Sequence, residues 1–395
     1  MKWNGPLKTL ISTFALATTV LSHAAPHYIS VGNDMAKDLM KSNSHIKVIK
    51  EDHNHSLLEV KQSDKLEASL LAHEKFHRCG GFFSYETLEE AISEFDNHAH
   101  FQQSMLSFQD YTINQESTVS KAISMAKEEN IRNVITKLSS YHNRYYKSET
   151  GVQASNWIFD QWKSLTDHRS DVSVELFNHS NWPQPSVILT IKGKSPEVVV
   201  IGGHADSIAG FWARHKAHAP GADDNASGIA TMTETIRVLM EMNHRPEKTI
   251  AFMAYAAEEV GLLGSKEIAK KYKQDNVEIA GVLQLDMTNF KGQKWDIVLM
   301  QDYTNAEQNT FIGKLIDTYL TGLEWGYDKC GYGCSDHASW HLQGFPASIP
   351  FESRMSEKNH NIHTKNDTLE SMGGNANHAL KFSKLALSYA IELAK

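Results

Sequence analysis

Three apolar runs near the middle of the chain each end at a side chain able to bind a metal, and nothing else in the sequence restricts the fold as tightly. Val198-Val199-Val200-Ile201 passes through Gly202-Gly203 to His204. Thr249 to Ala257 ends at Glu258-Glu259, and Gly281 to Leu285 ends at Asp286. Continuous β-branched and apolar runs of this length read as strands buried on both faces. In an open α/β sheet the working crevice lies beyond the carboxyl ends of the strands. Such strands would bring an imidazole, a glutamate pair and an aspartate to one rim. Pro220 to Gly228, with Asp223-Asp224 amid small residues, falls between the first two strands, just ahead of a helical run.

The flanking pattern alternates helices with strands. Helices are expected at Thr118 to Tyr141, Gln153 to Leu165, Ala226 to Met242, Gly264 to Tyr272, Ala306 to Leu320 and Ala376 to Leu393. Further strands are expected at Val172 to Leu176, Ser186 to Ile191, Asp296 to Met300 and Ala347 to Pro350. This order predicts an α/β fold, a three-layer α/β/α sandwich around a mixed, largely parallel sheet. With 395 residues, 41% of them hydrophobic, the chain can bury a full-sized core and something smaller beside it. A formal net charge of −8 without a basic block argues against nucleic acid as a partner.

Residues 1–24 read as a secretory signal peptide. Lys2 and Lys8 precede an apolar stretch from Leu10 to Leu21, and Ser22-His23-Ala24 is a small-x-small cleavage site. The alternative, a membrane anchor, needs about 18 apolar residues, and no stretch reaches that length. Residues 25–107 are polar and His-rich, with amphipathic helical patches at Leu66 to His77 and Glu86 to Phe95. They read as a removable prosegment, an inhibitor or folding aid, ahead of a catalytic domain at 108–395. A permanent N-terminal subdomain is the alternative. Within this segment His73-Glu74-Lys75-Phe76-His77 spells the two-histidine motif of one class of zinc peptidase. Arg78-Cys79-Gly80-Gly81 should end that helix at once, so a solvated, charged helix face is the preferred reading. Of the three cysteines, Cys330 and Cys334 flank Gly331-Tyr332-Gly333, whose glycines permit the tight turn of a short-loop disulfide. A thiolate zinc site would need a second cysteine pair. Cleavage near Phe108 to Asn114 would leave the mature chain with these two cysteines.

His204-Ala205-Asp206 offers an imidazole with a carboxylate placed to orient it. Adjacent carboxylates at a sheet rim repel one another unless a cation compensates, and His360-Asn361-Ile362-His363 supplies a second imidazole. Two imidazoles and three carboxylates make two three-ligand sites if one carboxylate is shared, and a catalytic zinc commonly has three protein ligands.

His204-Ala205-Asp206-Ser207, Pro220 to Gly228, Ala257-Glu258-Glu259-Val260-Gly261, Leu285-Asp286-Met287 and Ile362-His363-Thr364 resemble the ordered motifs of the co-catalytic two-zinc exopeptidases. Within that family, whose wider superfamily includes glutaminyl cyclases and glutamate carboxypeptidases, the chain looks most like the secreted bacterial leucyl aminopeptidases. The similarity runs from about Asn133 to Leu369 and takes in Cys330 to Trp340. The resemblance implies two Zn2+ per chain. Asp224 would bridge them, with His204 and Asp286 on one and Glu259 and His363 on the other. It implies Glu258 as the general base, Asp206 behind His204, a cis bond at Asp224-Asn225, and Tyr332 helping to hold the oxyanion. Met287, Ile349, Phe351, Met355 and Ile362 would line an apolar pocket for the first side chain, with Lys358 at its rim in place of the usual aromatic. The expected protein is a secreted, monomeric zinc aminopeptidase. It would act on peptide and protein N-termini, Leu preferred, and have a processing protease but neither a nucleic-acid nor a membrane partner.

Overall fold

The computed structural model describes residues 1, 26–76, 78, 80–104, 108, 111–210 and 214–395. Residues 2–24 of the expected signal peptide, His77 of the two-histidine motif and Cys79 lie outside the described residues. Among those described, no helix is long and apolar enough to cross a membrane.

The N-terminal segment is more structured than its composition suggests. Strands β1 (His27–Gly32), β2 (Lys47–Glu51), β3 (His55–Val60) and β4 (Phe82–Tyr85) form a sheet in the order β2-β3-β1-β4. Helices α1 (Asn33–Ser42), α2 (Gln62–Glu74) and α3 (Leu88–Ser104) accompany it. Sequence reading found two helical patches here and missed the sheet. The segment has a core of its own, with Ile29, Met35, Leu39, Leu58, Ala68 and Phe82 buried together.

The rest of the chain opens with α4 (Glu116–Met125) and α5 (Glu128–Ser139), where periodicity predicts one helix. The break has a tertiary cause. Ala126 and Lys127 are extended, and the buried Glu234 carboxylate accepts from Lys127 N at 2.6 Å and Asn130 Nδ2 at 3.0 Å. After α6 (Glu149–Thr166) come β5 (Val172–Phe177), β6 (Ser186–Ile191) and β7 (Ser195–His204). Then follow α7 (Gly228–Glu241), β8 (Lys248–Tyr255), α8 (Leu263–Gln274) and β9 (Ile279–Gln284). The remaining elements are β10 (Ile297–Met300), α9 (Ala306–Tyr319), β11 (Trp325–Asp328), α10 (His337–Leu342), β12 (Ala347–Ser348), β13 (Pro350–Phe351) and α11 (Asn377–Leu393).

The main sheet has the order β12-β9-β7-β8-β6-β5. Strands β12, β9, β7 and β8 are parallel, while β6 pairs antiparallel with β8 and the edge strand β5 antiparallel with β6. Alternate side chains of β7 and β8 go to opposite faces, as strand geometry requires. Val199, Ile201, Ile250 and Phe252 join the cluster that includes residues of α4, α5, α6, α7, α9 and α11. Val198, Val200, Ala251 and Met253 pack with Ile268 of α8 and Trp340 of α10. Burial on both faces explains why these strands read as unbroken apolar runs, and the architecture is the expected α/β/α sandwich. A smaller sheet, β11-β10-β13, stands beside it.

Candidate metal centre

The parallel strands β7, β8 and β9 end at the same rim. His204 is the last residue of β7, Glu258-Glu259 follow β8 and Asp286 follows β9. Backbone detail sets each side chain. Gly203 lets β7 approach the turn after β9, since a β carbon there would lie 2.6 Å from Leu285 O. Ala257 has φ +59° and turns the chain so that the two glutamates follow the strand closely. Asp224 sits in the turn Ala222–Ser227 ahead of α7, and the Asp224-Asn225 peptide bond is cis. His363, with φ +58°, comes from the loop after β13.

The geometry sorts these groups into two sets. His204 Nε2 lies 3.0 Å from Asp224 Oδ1 and 3.3 Å from Asp286 Oδ1. His363 Nε2 lies 2.9 Å from Asp224 Oδ2 and 3.3 Å from Glu259 Oε2. Ligands held about 2.0–2.1 Å from a tetrahedral ion are about 3.3 Å apart, so both spacings suit an ion between the groups. His204 Nε2, His363 Nε2, Asp286 Oδ1 and both oxygens of Glu259 are buried without a hydrogen bond. Buried polar atoms are normally satisfied. The donor set is imidazole and carboxylate, which suits zinc and its neighbours among divalent ions, so the residues fit the metal.

Charge tells the same story. Burial, then the neighbouring Asp224, pushes Glu259 up to about 7. Burial also pushes Glu258 well up, against the pull of His204, and Glu259 adds to the rise. Burial alone would lower His363, yet Glu259 and Asp224 raise it to about 9. His204 is raised likewise, by Asp286 and Glu258 against its own burial. So many acids packed together hold protons unless positive charge lies among them.

The surroundings hold the ligands in place. Asp206 accepts from Glu258 N at 3.0 Å and Glu259 N at 3.3 Å, which ties the end of β7 to the turn after β8. Its carbonyl oxygen lies 3.2 Å from His204 Nδ1, and its carboxylate Oδ1 lies 3.5 Å from the same nitrogen. Ser335 Oγ donates to Asp286 Oδ2 at 2.6 Å. The Asp367 carboxylate accepts from Asp223 N and Asp224 N, both at 3.1 Å, and burial with Asp223 pushes it up to about 8. Arg144, fully buried, donates to Ala205 O at 2.9 Å and Gly221 O at 2.9 Å, joining the two ligand loops. Sequence reading missed Ser335, Asp367 and Arg144; only the short step from His363 to Asp367 could have flagged one of them.

The remaining expected residues gather nearby. Met287, Ile349, Phe351 and Ile362 are buried in one cluster, with Met355 and Cys330 packed against it. Lys358 is buried and not at an open rim. Cys330 and Cys334 form a disulfide. It carries buried Tyr332, over whose ring the Arg78 guanidinium lies at 5.1 Å. One expectation fails outright. His73 is not on a solvated helix face; it is buried, with Nε2 3.4 Å from Glu259 Oε2 and its ring 4.1 Å from that of His363.

Residues 186–388 match the model of a family described as peptidase family M28. Leucine aminopeptidase 1 of Paracoccidioides brasiliensis (strain Pb18) is 37% identical over 296 residues, covering 71% of this chain and 75% of its own length. Among solved structures, LapB from Legionella pneumophila has a TM-score of 0.80 at 28% identity, covering 94% of this chain and 100% of its own. The Legionella pneumophila LapA aminopeptidase gives the same score and identity, with coverages of 94% and 98%. The likeness extends beyond bacterial proteins to a fungal one.

Proposed function

Because the chain belongs to peptidase family M28 and is a metallo-aminopeptidase, we propose that it works as a secreted two-zinc enzyme. In this reading it hydrolyses the first peptide bond of chains whose N-terminal residue is apolar, leucine among them. The observation that carries the reading is Asp224, whose two oxygens face different imidazoles. One zinc would sit among His204, Asp224 and Asp286, and the other among Asp224, Glu259 and His363. Bound there, the two ions would polarise the scissile carbonyl and acidify the attacking water.

The protein groups do the rest. Glu258 takes a proton from the water and returns it to the leaving amine; Asp206 holds it by its backbone N–H. Ser335 keeps Asp286 turned towards His204, and Tyr332 lies on the disulfide loop as a donor for the oxyanion. The cluster of Met287, Ile349, Phe351, Met355 and Ile362 takes the first side chain. Such pockets separate side chains differing by a methylene by only about 1–3 kcal/mol, so the preference is broad. Residues 1–24 direct export, residues 25–107 are removed by a processing protease, and the mature enzyme is a monomer acting on peptide N-termini.

The test is Glu258→Ala. The variant should keep two zinc ions per chain while turnover of an aminoacyl amide falls by about 10²–10⁴-fold, the usual worth of a positioned proton carrier. Metal loss in that variant would make Glu258 a ligand. One ion per chain in the unaltered protein would point to single-metal chemistry instead.

A further inference from the structure

Helix α2 of the N-terminal segment runs over the metal centre and is pinned there. Ser69 Oγ donates to Glu259 O at 3.0 Å and accepts from Arg214 Nη1 at 2.7 Å. One turn on, His73 is buried between Arg214 and the ligands. Arg214 Nη2 lies 3.3 Å from its Nδ1, and Glu259 Oε2 lies 3.4 Å from its Nε2. The same stretch then reaches the proposed base, since a β carbon on Gly80 would stand 2.9 Å from Glu258 Oε1.

His73, Glu259 and His363 place ligand-type atoms within 4.8 Å of one another, which taken alone suggests a third metal ligand. The hydrogen-bond roles point the other way. Arginine only donates, so Nδ1 of His73 must accept from Arg214, and the proton of the neutral ring is on Nε2. A metal needs an unprotonated nitrogen. The Nε2–H instead faces Glu259 Oε2, the same oxygen that lies 3.3 Å from His363 Nε2.

We propose that His73 is a built-in competitor for the metal: its Nε2–H, 3.4 Å from Glu259 Oε2, lies against the carboxylate that an ion beside His363 requires. The uncleaved chain therefore binds its second ion weakly, and the imidazole blocks the space in front of it. This rests on the two-metal reading above. Removing the segment frees Glu259 and opens the site in one event.

The sign of one measurement separates competitor from ligand. The full chain, His73→Ala and His73→Leu are titrated with zinc against a chelating indicator, and hydrolysis of leucine amide is followed. Both variants should bind the second zinc at least about tenfold more tightly than the unaltered chain. His73→Ala should also hydrolyse faster, while His73→Leu, which keeps bulk but cannot donate, should stay slow. Weaker second-zinc binding in both variants would make His73 a ligand and overturn the proposal; unchanged binding would overturn it too. A chain that takes up only one zinc in all three forms would sink the two-metal reading itself, and with it this inference.

Discussion

At the scale of single residues, the centre depends on groups that do not touch the ligating atoms. Ser335 makes one hydrogen bond to Asp286, and that bond sets which oxygen of the carboxylate turns to His204. Partners of this kind are commonly worth 10- to 100-fold in metal affinity. Ser335→Ala should therefore weaken binding at the His204 position by about that factor, read by zinc competition, and leave the His363 position nearly unchanged. Asp206 is more deeply committed, because its carboxylate accepts two backbone N–H groups at once. Its sequence position two residues after His204 predicts a role in orienting the imidazole; its carboxylate lies 3.5 Å from His204 Nδ1 and also spans to the glutamate turn.

At the scale of elements, legibility followed burial. Strands β7, β8 and β9 were readable because both of their faces are covered, so apolar runs are continuous and the rim residues stand out at their ends. The strands β1 and β3 were not, because Ser30, His55 and Ser56 are buried polar residues that break the pattern. Periodicity also ran α4 and α5 together, since nothing local marks Ala126 as a break. The cause lies more than a hundred residues away, at Glu234. Glu234→Ala should strand the Lys127 N–H and cost about 1–3 kcal/mol of stability, measured by urea unfolding. His73 shows the opposite limit: its motif was visible, yet its destination depends on Arg214 and Glu259, distant partners that no spacing reveals.

At the scale of the whole molecule, the N-terminal segment is fastened to the rest of the chain by charge as well as by packing. Phe83 and Tyr85 share a cluster with Leu262, Ala338 and Leu342. Glu90 of α3 meets Lys266 and Lys270 of α8 at 3.1 and 2.8 Å. Burial alone would raise the Glu90 pKa, but the two lysines bring it from 4.5 down to about 2. A depressed carboxyl stabilises the docked state above its free pKa and loses that contribution as pH falls. Docking should thus loosen progressively between pH 4.5 and about 2, seen as expansion of the full chain by small-angle scattering. Glu90→Gln should already be loosened at neutral pH, and a protease should clip its N-terminal segment faster than that of the unaltered chain.

The separate apolar core of the N-terminal unit has one more consequence. Its buried members all lie between Ile29 and Phe82, and chains emerge from the ribosome N-terminus first, with domains folding as units. That core can therefore form before His204, and long before His363, has been synthesised. With the segment acting as proposed above, its fold precedes the site it covers, and the cutting edge has a cover waiting when it forms.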